Sequence, residues 1–162
     1  MDYNRVLKSL NGLTNEQFLE KVGDVFEIRQ LVDGENPKPR AKFECSLYLD
    51  KKWYALRFKE EKIDTSTPVK QLDSQLLTDL VLTPILDIHD LRSDERIDFV
   101  GGIRGLKELE KRCNEDSVAA FAMFPVTLKE LMEIADAGLI MPPKSTWFEP
   151  KPRSGFVVRC FE

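Results

Sequence analysis

A chain of 162 residues with 42% hydrophobic and 32% charged side chains is long enough to bury a core, and its composition is that of a globular protein rather than a disordered or disulfide-stapled one. Lysine plus arginine number 24 against 28 for aspartate plus glutamate, and the resulting net charge of −4 supplies no broad cationic field. Neither nucleic acid nor an anionic membrane is therefore an expected partner.

The first clear helix signal is at Thr14, which forms a capping box with Gln17, while Leu13 and Phe18 stand at the staple positions and Leu19 and Val22 continue the apolar face. No element is assigned before it. Val25 to Leu31 reads as a strand, and the polar stretch Asp33 to Arg40, with Gly34, Pro37 and Pro39, as a loop. From Ala41 to Leu49 apolar and polar residues alternate, Asp50 to Lys52 turn the chain, and Trp53 to Lys59 returns, which predicts an antiparallel hairpin. Asp73 is expected to cap a helix with Leu76, Leu77, Leu80 and Val81 on its apolar face, ended by Pro84. Ile97 to Val100, two glycines and a stripe of Leu106, Leu109 and Cys113 read as strand, tight turn and helix. Ser117 to Phe124 is almost wholly apolar, as a strand covered on both faces is, and completes a β-α-β unit. Thr127 and Glu130 form a second capping box, followed by a stripe of Leu128, Leu131, Met132 and Ala135 closed by Gly138; a last strand is expected from Gly155 to Phe161. The fold class is α+β, one domain over residues 1–162, with a mixed, largely antiparallel sheet and helices packed on it.

Two motifs carry chemistry. Gly101-Gly102-Ile103-Arg104-Gly105 joins a strand to a helix, where glycines permit close approach of a ligand, unpaired N–H groups favour an anion, and Arg104 can add a charge-assisted contact. It matches neither the P-loop nor the dinucleotide fingerprint, and the competing reading is a tight turn with Arg104 solvated. The second motif runs from Met141 to Arg153. Four prolines stiffen it, and Lys144, Ser145, Thr146 and Lys151 stand beside Trp147 and Phe148, a set suited to holding a phosphate or carboxylate next to a planar group. The alternative is an ordered loop anchored by its aromatics. The candidate ligand-binding residues are thus Gly101, Gly102, Arg104, Gly105, Lys144, Ser145, Thr146, Trp147 and Lys151, and both motifs are expected to face one cleft.

No catalytic residue, cofactor or metal is assigned. His89, the only histidine, reads as a surface residue; Asp94 and Glu95 read as solvated or paired, and Asp98 as bonded to the following turn. Cys45, Cys113 and Cys160 are odd in number and widely spaced, without CxxC, which disfavours zinc and disulfides and fits a reducing cytoplasm. MDYNRVLKSL has no apolar h-region, and no run reaches the roughly 18 apolar residues of a bilayer span.

Four blocks of the sequence, YNRVLKSLNGLTNEQFLEKV, LYLDKKWYALRFK, RIDFVGGIRGLKELEKR and IADAGLIMPPKSTWFEPKPRSG, together resemble the C-terminal part of the prokaryotic family of domain of unknown function (DUF) 1015. The resemblance runs from about Tyr3 to the C-terminus, with Leu91 after Asp90 where the family tends to have proline. It implies a longer protein whose upstream part carries an Asp-Gly-His-His-Arg type stretch similar to ParB-like proteins and free-serine kinases. That stretch is absent here, so the expected partners are an upstream domain and an anionic, phosphate-bearing small molecule. A phosphotransferase is the activity implied for the whole, and a structural or dimerisation module is the alternative; this chain alone is expected to fold without turning over substrate.

Overall fold

The computed structural model describes residues 2–146. In chain order these form β1 (Tyr3–Leu7), α1 (Asn15–Gly23), β2 (Phe26–Gln30), β3 (Glu44–Leu49), β4 (Lys52–Phe58), α2 (Asp73–Leu77), β5 (Ile97–Gly101), α3 (Leu106–Glu115), β6 (Ala119–Met123) and α4 (Leu128–Asp136). A π-helical turn, Thr78–Leu82, continues α2. The strands make one sheet in the order β2-β4-β3-β6-β1-β5, antiparallel at every pairing. Because β5 and β6 both run antiparallel to β1, they are parallel to each other with β1 between them. The expected β-α-β unit is present in this split form.

Local signals account for several elements. Both capping boxes form, Thr14 with Gln17 and Thr127 with Glu130. The β3–β4 hairpin closes through Asp50 and Lys51, both left-handed (φ 49° and 60°), the backbone of a two-residue turn whose twist matches its strands. Gly138, at φ 66°, ends α4 with its N–H on the Ala135 carbonyl while the Leu139 N–H reaches Ile134, a Schellman closure.

Alternate side chains divide the core between two faces. On one, Leu7, Leu47, Leu49, Phe121 and Met123 pack with Phe18 and Val22 of α1, Leu76 and Leu77 of α2, and Val81 and Leu82. On the other, Val6, Tyr48, Val100, Ala120 and Ala122 pack with Leu109 of α3. β6 is buried on both faces, as its apolar run requires.

The structure departs from the sequence reading at four places. Residues 3–7, where the sequence shows no element, form a central strand. Asp73 does not cap α2: it is the first helical residue after Leu72, and its carboxylate instead accepts the Phe43 N–H at 3.0 and 3.1 Å. β3 consequently starts only at Glu44, since Phe43 has a left-handed backbone (φ 68°). The side chain α4 buries is Ile134, while Leu128 and Met132 are exposed. The strand expected at Gly155 to Phe161 lies outside the described residues.

Candidate functional site

The glycine motif sits where β5 ends. Gly102 to Arg104 make a single 3-10 turn, and Gly105, at φ 70°, is the residue from which α3 departs. The Gly102 N–H donates to the Asp2 carbonyl at 2.9 Å and the Gly105 N–H to the Gly102 carbonyl at 3.0 Å. A Cβ at Gly102 would overlap the Asp2 carboxylate, so a larger residue there would displace the Asp2 side chain. Arg104 is exposed and pairs loosely with Glu108 one turn on, at 3.8 Å. Two of the motif's amides are therefore committed within the protein, and an acidic side chain stands against the turn.

The second motif meets the sheet at Arg5. Lys144, in a left-handed conformation (φ 59°), places its carbonyl 3.1 Å from Arg5 Nη2. Arg5 Nη1 donates to the Tyr3 carbonyl, and Nε has no partner among the described residues. The Arg5 side chain is 1% exposed and faces no carboxylate among the described residues. Burial draws its pKa from 12.5 down to about 10, so it stays protonated at neutral pH. Lys144 Nζ lies 5.4 Å and Arg5 Cζ 5.8 Å from the centre of the Phe99 ring, against which Tyr3 packs at 5.4 Å. Two cations thus converge on one aromatic ring. Ser145 is buried and donates to the Pro142 carbonyl at 2.5 Å. Pro142 and Pro143 also line a surface cavity of about 500 Å³ with Val69, Lys70, Leu139 and Ile140. Thr146 is half-buried; Trp147 and Lys151 lie outside the described residues.

Both motifs meet the β1–β5 side of the sheet, the glycine turn at the end of β5 and Lys144 at its middle, yet they approach it from opposite faces. α3 covers Val6 and Val100, whereas Lys144 lies over Phe99, on the side of Arg5. Strand alternation forces this: Arg5 and Val6 are neighbours and point oppositely, as do Phe99 and Val100. The structure does not bring Arg104 and Lys144 into one cleft.

The remaining candidates have structural partners. Asp98 accepts the Phe99 N–H at 2.7 Å and pairs with Arg112 at 2.8 Å, and Asp94 pairs with Arg96. His89 is exposed beside Asp87. Among the described residues no group of three or more histidine, cysteine or acidic side chains is placed to hold a metal. Cys45 is fully buried and burial raises its thiol well above the ordinary value, so it is not a nucleophile. Also among the described residues, no helix is long and apolar enough to cross a membrane.

Arg5 escaped the sequence reading. The signal available was the arginine in Tyr3-Asn4-Arg5-Val6-Leu7, polar residues inside a short strand whose Asn4 is also buried, its side chain accepting the Met123 N–H at 2.9 Å.

No curated protein matches the chain. Two solved structures of free serine kinase mutants in complex with AMP are similar to it, at 17% and 16% identity and TM-scores of 0.49 and 0.47, covering 89% of this chain and 51% of theirs. The chain spans about half the length of the structures it matches. Residues 1–75 match the family described as Protein of unknown function (DUF1015), so the resemblance to that family is shown over the first two of the four sequence blocks.

Proposed function

We propose that this protein binds an anionic, phosphate-bearing small molecule at the pole formed by Lys144, Arg5 and the Phe99 ring. The observation that supports it is the buried Arg5 guanidinium, which is protonated, has an unbonded Nε, and lacks a counter-charge among the described residues. An uncompensated buried cation costs several kcal/mol, and an anion bound to the exposed Lys144 ammonium lowers that cost. Lys144 makes the direct contact and Arg5 acts from beneath through its field. Ser145, Thr146, Trp147 and Lys151 belong to the same proposed ligand segment, and Trp147 would offer a stacking face. The glycine turn and Arg104 are a separate candidate for anion binding, on the other face of the sheet.

The phosphotransferase reading concerns a whole protein longer than this chain. For the 162 residues themselves binding without turnover is expected, and phosphotransfer or hydrolysis lost on Asp98→Asn would contradict it. A structural module is the second reading, favoured by the packing of Gly102 on Asp2.

Calorimetric titration with ATP, ADP, phosphoserine and inorganic phosphate tests the proposal. Lys144→Ala is expected to remove roughly 1.5–3 kcal/mol of binding, about ten- to a hundredfold, with little change in melting temperature. Arg104→Ala separates the two donor sets: unchanged affinity confines the site to the Lys144 pole, and a comparable loss extends it to the glycine turn. A wild type that binds none of the four, or equal affinity in Lys144→Ala, sinks the reading.

A further inference from the structure

The two edges of the sheet are finished differently. In β5 the residues Ile97, Phe99 and Gly101 point their backbone groups away from β1, because the bonded pairs are Lys8 with Arg96 and Asp2 with Gly102. That edge is blunted: the outward Phe99 N–H is taken by the Asp98 carboxylate, which Arg112 holds in place.

Among the described residues the β2 edge has no such device. Leu31 bonds Trp53 and Lys59 bonds Val25, so alternation turns the N–H and C=O groups of Phe26, Ile28 and Gln30 outward. Among the described residues these outward N–H groups have no partner. The side chains between them are Glu27 and Arg29, both exposed and on the same face. Arg29 is held on that face by a bidentate pair with Glu35 at 2.5 and 2.9 Å, whereas Glu27 has no ion-pair partner among the described residues.

We propose that β2 pairs with β2 of a second copy of this chain, antiparallel and centred on Ile28, joining two sheets into one. The strand is complementary to itself in that register. Ile28 meets Ile28 of the copy, Phe26 meets Gln30, and all three outward residues fall at hydrogen-bonded positions. The same register sets Glu27 opposite Arg29 twice, related by the two-fold axis, which is what an isologous interface demands. A parallel pairing or a shift by one residue would lose this match, so the charges select the register as well as the partner. On the opposite face the half-buried Ile28 side chain, which already packs on the core, would be covered by its copy.

Sedimentation velocity over a concentration series on the full chain tests the pairing, with circular dichroism to confirm folding. Wild type is expected to dimerise with increasing concentration. Glu27→Arg turns both attractive pairs repulsive and is expected to weaken dimerisation at least about tenfold. The double variant Glu27→Arg with Arg29→Glu restores opposite charges and is expected to recover it. Ile28→Pro, which removes an outward donor while leaving the β4 ladder its bonds, should abolish the dimer if it folds. A wild type that stays monomeric at the highest attainable concentration, a dimer indifferent to Glu27→Arg, or a double variant as weak as the single one overturns the proposal.

Discussion

Phe121→Ala is expected to destabilise the fold by about 3–5 kcal/mol, a large part of the roughly 5–15 kcal/mol that domains possess. Phe121 is fully buried at the middle of β6, between Arg5 of β1 and Leu47 of β3 in register, and meets Phe18 of α1 edge to face at 6.5 Å. Truncation would remove the contact that joins helix and sheet at the centre of the larger core, and the two strands that flank β6 prevent collapse into the void. Ile103→Ala, at a side chain 60% exposed, is the control and should stay within about 0.5 kcal/mol. Denaturant titration compares them; a Phe121→Ala loss below about 1 kcal/mol would mean that the site repacks and that the core is not organised around this ring.

Asp73→Asn is expected to stabilise the protein above neutrality and to do nothing at pH 4. Burial pushes the Asp73 carboxyl from 3.8 up to about 7, reinforced by Glu130 and Glu44 and opposed by the Phe43 N–H and by Lys42. Between those two values the folded state holds a proton that the unfolded state has released, so stability falls as pH rises through that window. At about 1.4 kcal/mol per pH unit the interval from 3.8 to about 7 sets a ceiling of about 4 kcal/mol. Asparagine keeps an oxygen for the Phe43 N–H and carries no charge to bury, which removes the slope. Melting temperatures of both proteins from pH 4 to pH 8 give the answer, and parallel profiles would show that Asp73 titrates as an ordinary carboxylate.

The candidate site was half legible. Lys144 and Ser145 stood out because a lysine and hydroxyls among prolines form a local pattern. Arg5 did not, because a buried charged residue interrupts the alternation by which a strand is recognised. The same interruption hid β1, although its neighbours Val6 and Leu7 are fully buried. The position of Asp73 before an apolar helix suits a cap, but the Phe43 amide that claims it lies 30 residues away.

What the sequence by itself determined are the features encoded within one turn of chain: both capping boxes, the hairpin, though with Lys52 in its turn rather than in β4, the glycine closing α4 and the apolar run of β6. These depend on contacts between residues a few positions apart, whose geometry backbone and side-chain chemistry set directly. Only the tertiary structure decided the strand order, the insertion of β1 between β5 and β6, and the side of the sheet to which each motif belongs. Burying both faces of β6 required neighbours from distant parts of the chain. Once β1 lay beside it, alternation sent Arg5 to one face and Val6 to the other. That step separated Lys144 from Arg104, a consequence of sheet geometry that no local spacing carries.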